Sequence, residues 1–351
     1  MATKSYKCPS CGAGILFKPA LQKFHCDYCL SEYTEEEIAN IYKDVDEENG
    51  IDESPDTTED HKHLSSYECN SCGAKVVTDN TTTATFCYYC HNPVIISDRL
   101  SGSFQPDKLI PFSIDKEKAT KTFFNWAKNK SFVPKDFHSN SQLEKITGVY
   151  LPYWWADCKI DIDYVGEGRN IRIWRSGDRE YTETKKFQIE RKGKIDISNV
   201  EELAFTKIDK NLLSGIAPYN EDEAKKFSMP YLSGFFAEQY DISKEEITPK
   251  IEEQVNRYSK SLISETITGF NHVNDISNNV DILSKEWNYT LLPAWILTFI
   301  YNDKTYVYAV NGQTGKSFGE LPLDKGKLFK VSSIIFGITS AVLAIGGALI
   351  W

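Results

Sequence analysis

Eight of the nine cysteines fall into two copies of one spacing, and these are the residues best placed to do chemistry. The first copy is Cys8-x2-Cys11 followed by Cys26-x2-Cys29. The second is Cys69-x2-Cys72 followed by Cys87-x2-Cys90, each cysteine 61 residues further on. A Cys-x-x-Cys pair sets two thiolates on one tight turn, and a second pair from a facing hairpin completes a tetrahedron. That is the ligand set of a closed structural zinc site, so the spacing predicts two zinc ions, one per unit. Gly12 and Gly73 follow the leading pairs, where the turn favours a left-handed residue without a Cβ. A disulfide set or a thioredoxin-like redox motif accounts less well for two identical four-cysteine spacings. His25, His61, His63 and His91 adjoin the units, but four thiolates already fill each site, so these histidines are expected at the surface or in support. Cys158 stands alone in an apolar, aromatic stretch and reads as a buried small hydrophobe.

No other constellation carries chemistry. Asn311-Gly312-Gln313-Thr314-Gly315-Lys316-Ser317 invites comparison with a phosphate loop, but that motif needs glycine where this chain has Val310. The stretch reads instead as a hairpin turn. The chain lacks H-E-x-x-H, G-x-S-x-G and G-x-G-x-x-G patterns. His138 and His272 have no acid or nucleophile at a meaningful spacing, so no catalytic residue is assigned and a non-enzyme is expected. The net charge of −10 argues against a generally basic nucleic-acid binder. The first ribbon carries a slight positive excess and the second is acidic, which makes nucleic acid the lesser reading for both.

The elements that hold these residues follow from patterning. Residues 1–36 form a first zinc ribbon. Residues 37–64 read as an acidic, solvated linker, with nine acidic and no basic residues from Asp44 to Asp60. Residues 65–98 form a second ribbon, with Val76-Val77 and Thr83-Ala84-Thr85 as its hairpin. Residues 99–330 read as an α+β body of mainly antiparallel strands with helices on one face. In it, Ala119, Phe123, Trp126 and Ala127 mark a helix, and strands begin near Val149 with a turn at Ser176-Gly177-Asp178. Residues 200–267 read as mostly helical, with Thr248-Pro249 starting a helix that carries Ile251, Val255, Tyr258, Leu262 and Thr266. Leu151-Pro152-Tyr153-Trp154 and Leu292-Pro293-Ala294-Trp295 share L-P-x-W, a weak sign of a duplicated strand.

The last 21 residues, Val331 to Trp351, contain neither charge nor proline. A helix of that length spans about 31 Å, the hydrocarbon thickness of a bilayer. Lys325, Lys327 and Lys330 precede it, so the positive-inside rule predicts a single-pass C-terminal anchor with the N-terminal domains in the cytoplasm. No apolar run precedes Lys4, Lys7 and Cys8, so no signal peptide is read at the start and reduced thiols are expected. Ser333, Gly337 and Ala341 place small residues at four-residue steps, which permits an oligomer through the transmembrane helix.

Several stretches together carry a resemblance. They include Tyr6-Lys7-Cys8-Pro9-Ser10-Cys11-Gly12, Thr83 to Cys90, Asp98-Arg99-Leu100-Ser101-Gly102, Ile110-Pro111-Phe112, Ile146 to Trp154, Leu291 to Trp295, Val310 to Lys316 and the apolar tail. The chain resembles bacterial membrane-anchored, TFIIB-type zinc-ribbon-containing proteins, some of which carry primosomal helicase-like or phage replication labels. The resemblance implies a role in envelope stress, with SPFH or virion-core-like proteins and phage-shock coiled-coil proteins as partners. The helicase label finds no motor motif here. The expectation is therefore a zinc-stabilised adaptor or scaffold that recruits protein partners to the inner face of the cell membrane. The alternative is a membrane-associated nucleic-acid-binding protein of the transcription or replication type.

Overall fold

The structure, a computed structural model, describes residues 3–47, 64–69, 72, 74–87, 91–128, 130, 132–134, 146–301 and 304–350. Gly73, Tyr88, Tyr89 and Cys90 of the second unit, the histidines at 61, 63 and 138, and Trp351 lie outside the described residues. The architecture is mixed α+β, with an apolar helix at its C-terminal end.

The chain opens with β1 (Thr3–Lys4) and a small sheet of β2 (Leu16–Lys18), β3 (Lys23–His25) and β4 (Glu32–Tyr33). The stretch expected to begin a solvated linker instead forms α1 (Glu35–Glu47). A capping box starts it: Glu37 N donates to Thr34 Oγ1 at 3.3 Å, and Thr34 N donates to the Glu37 carboxylate at 2.7 Å. Glu35, Glu36 and Glu37 also suit the positive end of the helix. Ile38 is fully buried, and Tyr42 meets Tyr6 edge-on at 5.1 Å, so the helix is packed onto the first cysteine unit.

The second cysteine unit comprises the hairpins β5 (Leu64–Glu68) with β6 (Lys75–Asp79) and β7 (Thr82–Phe86) with β8 (Pro93–Ile96). It is not a separate head. β8 also pairs with β1, and β7 pairs with a strand of the body, which places both in one eleven-stranded sheet.

The body repeats one unit of short strand, helix, long strand and return strand. The first copy is β9 (Lys108–Leu109), α2 (Lys116–Lys128), β10 (Thr147–Ser176) and β11 (Arg179–Leu203). After α3 (Lys210–Ile216) and β12 (Lys225–Lys226) comes the second copy. It consists of β13 (Phe236–Glu238), α4 (Lys244–Glu265), β14 (His272–Tyr301) and β15 (Lys304–Asn311). The copies exchange their short strands, β13 lying parallel to β10 and β9 parallel to β14. The two long strands pair antiparallel, with Leu151 opposite Leu292.

This arrangement explains the L-P-x-W repeat. Each proline sits in the gap where one outer neighbour has ended (β13 or β9) and the next (β11 or β15) has yet to begin. Pro152 O accepts from Ala204 N at 3.0 Å and Pro293 O from Gly312 N at 2.8 Å. The N and O of a strand residue face the same side, so each missing N–H points into that gap and costs no ladder bond. Each tryptophan does an equivalent job. Trp154 donates its indole N–H to Ile242 O at 3.0 Å, and Trp295 to Ile114 O at 2.8 Å. Those isoleucines immediately precede Ser243 and Asp115, whose side chains cap α4 and α2. The duplication is thus carried by side-chain roles more than by sequence identity.

Two further expectations need correction. Helices cover both faces of the central sheet. Tyr150, Trp154 and Cys158 pack in the same cluster as residues of α2 and α4, whereas Leu151, Tyr153 and Trp155 pack with α3. A strand apolar on both faces, as 149–156 is, requires such cover. Residues 200–267 contain only two α-helices, and α4 begins at a Ser243/Glu246 capping box, five residues before Thr248. Its buried face is Ile247, Ile251, Val255, Ser259 and Ile263, while Tyr258 and Leu262 are exposed. β16 (Ser317–Gly319) and α5 (Lys325–Ile350) complete the chain.

If the repeats are equivalent, Trp154→Phe and Trp295→Phe should each lower the unfolding free energy of the full chain by about 1–3 kcal/mol, since each orphans one backbone carbonyl. Urea unfolding measures this, and a loss at only one tryptophan contradicts the equivalence.

Candidate metal centres

The described residues around the cysteine pairs make matching backbone hydrogen bonds. Cys8 N donates to Ala13 O at 2.5 Å and Gly12 N to Cys8 O at 2.8 Å. Cys26 N donates to Ser31 O at 3.0 Å and Leu30 N to Cys26 O at 2.9 Å. In the second unit, Cys69 N donates to Ala74 O, Cys87 N to Asn92 O and His91 N to Cys87 O, all at 2.9 Å. The residue four after the first cysteine is left-handed, with φ +77° at Gly12, 62° at Leu30 and 57° at His91. Glycine signals only the leading turns. At the trailing ones, Leu30 and His91 adopt a conformation that costs a non-glycine residue about 1–2 kcal/mol, which the closed turn must offset.

These turns bring the sulfurs together. Cys8 and Cys29 lie 3.5 Å apart, Cys11 and Cys26 3.6 Å, and Cys72 and Cys87 3.7 Å. A tetrahedral thiolate site with ~2.3 Å bonds has edges of about 3.8 Å. A disulfide would need about 2.05 Å. Cys8, Cys11, Cys26 and Cys29 form one cluster able to hold a metal ion, and Cys69, Cys72 and Cys87 another. Cys90 lies outside the described residues. His25 Nδ1 donates to the Asp27 carboxylate at 3.0 Å. Hydrogen bonds with the Ser31 side chain and amide pull the Cys29 thiol down to about 6. One sulfur is thus ready to ligate near neutrality.

Both units are bound to the body. Phe17 and Phe24 pack against Tyr231 at 4.9 and 5.7 Å, and Phe17 N donates to Ser233 O at 3.0 Å. Arg99, buried, donates to Asp79 O at 2.6 Å and Thr82 O at 2.5 Å, closing the turn between β6 and β7. Asp79 pairs with Lys207 at 2.5 Å, which draws its carboxyl below the usual range. Metal analysis of the purified full chain is expected to give one ion per cluster, and Cys72→Ser should lose the second ion. Because β7 and β8 lie in the main sheet, that substitution should also lower the thermal midpoint of the body. An unchanged midpoint would argue that the second unit is an independent head.

The body holds a polar cavity of about 410 Å³ that no sequence motif announced. Glu202, 2% exposed, accepts from Lys210 at 2.6 Å and Gln254 at 3.0 Å, with Lys250 at 3.7 Å. Beside it, burial and the Glu221 carboxylate push Glu201 up to about 7. A carboxyl raised in the folded state favours folding at low pH. Its contribution is whole below the unfolded value near 4.5 and is lost as pH rises through about 7. Glu201→Gln is therefore expected to flatten the pH dependence of stability between pH 5 and 8 and to raise the thermal midpoint at pH 8.

The third feature is an arm. β10, β11 and the first half of β14 run on beyond the body, and α4 covers one face as far as Gly168, where Phe270 packs. Past that point the hairpin is two-stranded and open. Its turn is Gly177-Asp178, with Gly177 at φ +60°, where the sequence placed it. Ile173 is 60% exposed, and Trp174 stacks on Tyr181 at 5.6 Å and 13° with Arg172 over the indole at 5.7 Å. Between 165 and 195 the chain has nine basic and five acidic residues. The signal available in sequence was this local reversal of charge inside a strand pattern. Lys316 and the 311–317 loop form the expected turn: Asn311 Oδ1 accepts from Gln313 N and Thr314 N at 2.9 Å, which leaves no phosphate cradle there.

α5 is long and apolar enough to cross a membrane, and its 325–343 segment is wholly outside the core. No family model matches the chain, and no solved structure matches it. It is 32% identical over 344 residues to a Bacillus subtilis (strain 168) protein described as "Uncharacterized protein YdjG", covering 97% of this chain and 96% of the relative. That coverage runs through both cysteine units, the duplicated body and the apolar tail, and the chain belongs to the family of YdjG.

Proposed function

We propose that this protein is a non-enzymatic adaptor of the TFIIB-type zinc-ribbon kind, anchored in the cell membrane by α5 and holding a cytoplasmic protein partner on its arm. Zinc is the ion we assign to both clusters: in the first, four thiolates at tetrahedral spacing suit it and leave no open coordination position for catalysis, and the second repeats the same cysteine spacing in sequence. The observation that carries the reading is the course of β14. Its last residue, Tyr301, lies in the same groove as the first turn of α5, and its first residue, His272, lies towards the arm tip. Thirty residues of strand reach about 95 Å when straight, so one rigid element joins the anchor to the exposed arm. A basic, aromatic tip on a chain of charge −10 suits an acidic surface on the partner. Envelope-stress partners of the SPFH, virion-core-like or phage-shock coiled-coil type fit the resemblance.

The same tip supports a second reading. Stacked aromatics interleaved with arginine are a platform for single-stranded nucleic acid, and the arm, rather than the ribbons, is where that charge lies. The two readings separate in one experiment. Full-length protein in membranes is compared with the triple variant R172E/W174A/R179E, using crosslinking to neighbouring proteins and salt-dependent oligonucleotide binding. Retention in the membrane with loss of protein crosslinks supports the adaptor. Loss of oligonucleotide binding with crosslinks intact supports the second reading. A wild-type protein found in the soluble fraction overturns both.

A further inference from the structure

Beside the first turn of α5 lies a groove of about 1270 Å³ whose walls are Trp126, Phe132, Tyr301 and Tyr306. Four lysines rim it. Lys130 Nζ stands 5.8 Å from the Trp126 ring centre and Lys304 Nζ 4.9 Å from that of Tyr306. Lys327 donates to Val133 O at 2.8 Å and lies 3.7 Å from Asp324, while Lys325 belongs to the same rim. Among the described lining residues, the opposing acids are Glu320, loosely paired with Lys304 at 3.7 Å, and Asp324. Asp324 is committed elsewhere, since its side chain accepts from Lys327 N at 3.0 Å and caps the helix. Lys130 and Lys325 enter no ion pair among the described residues. The groove thus has a net positive rim on an acidic protein, aromatic walls, and an open side continuous with the exposed apolar surface of α5, where Phe329 is 74% exposed.

We infer that this groove binds the headgroup of an anionic phospholipid, with the phosphate among Lys130, Lys304 and Lys325 and the acyl chains along α5. The inference rests on the membrane anchoring proposed above. Position selects a lipid over a free phosphate: lysines ahead of an apolar helix lie at the depth of lipid phosphates, and aromatic rings with a polar tip favour that same layer. Cations over aromatic faces at this boundary hold their charge while shedding part of their hydration, which suits a diffuse phosphodiester.

The test uses the full chain in detergent, with native mass spectrometry to compare retained phosphatidylglycerol against phosphatidylcholine of identical acyl chains. Phosphatidylglycerol should survive at collision energies that strip phosphatidylcholine. The exposed double variant K130Q/K304Q should lose about 25-fold of that preference, at roughly a factor of five per lysine near the surface. Equal retention of the two lipids, an unaffected variant, or displacement of the lipid by soluble glycerol phosphate would each overturn the assignment. Carbonate extraction of membranes, run in parallel, separates the two proposals. A chain that resists extraction but shows no lipid preference refutes the groove alone, whereas a chain that is extracted refutes the anchor and the groove with it.

Discussion

The antiparallel ladder between β10 and β14 is the constraint from which the rest of the structure follows. It joins two copies of one unit at the Leu151–Leu292 pair, both residues buried. Each copy folded alone would leave its short strand, and one edge of its long strand, without a partner. Exchange of β9 and β13 across the pair completes the shared sheet, so the two copies depend on each other for their strand pairing. An antiparallel axis also points the two hairpins in opposite directions. The β10–β11 hairpin becomes the arm, and the β14–β15 hairpin, turning between Tyr301 and Lys304, ends beside α5. The opposed placement of the arm and α5 is therefore a consequence of symmetry in the fold.

The cysteine units act on this framework as struts. β7 lies against β13, and β13 lies against β10, so the second cluster fixes the strand next to the ladder. Arg99 adds a buried cation shared between two backbone carbonyls, with the Glu238 and Asp79 carboxylates partly compensating its desolvation. The first cluster reaches the same region through Tyr231, which contacts Phe17 and Phe24 and donates to Glu35 of α1 at 2.5 Å. A metal closed inside such turns would add rigidity to units whose apolar clusters are small, because modules this small bury too little surface to fold on packing alone.

Much of this was legible in the sequence where one local rule decides the outcome. The cysteine spacing, the 177–178 turn, the α2 face and the apolar tail each follow from a single pattern. The failures occur where rules compete. Acidic charge between 44 and 60 hid a helix whose Thr34/Glu37 capping box and Ile38–Tyr42 spacing were decisive. Pro249 suggested a helix start, yet Ser243 with Glu246 satisfies two orphan amides and wins. The duplication was visible only as L-P-x-W because the equivalent residues elsewhere share roles and not types: Asp115 and Ser243 both cap, Ala204 and Gly312 both donate to a proline carbonyl. The cavity around Glu201 and Glu202 joins residues from β11, α3 and α4, and no linear spacing encodes such a convergence.

The arm raises a last physical question, since an open hairpin with exposed Ile173 and Trp174 invites pairing with a second copy. Its charge opposes that. Arg172, Arg175 and Arg179 lie near the tip, and Lys185 and Lys186 follow on the edge strand β11; Glu180 and Glu183 offset part of this charge, and the surplus that remains opposes two arms brought edge to edge. Cationic residues on exposed edges are the usual means of blocking such association. What remains favourable is a surface of opposite sign that covers the aromatic pair. Such a surface would remove exposed apolar area from water and neutralise the surplus positive charge in the same step. The surplus positive charge of the arm therefore works against pairing of two copies edge to edge, and an acidic surface is the complement that the proposed adaptor role calls for.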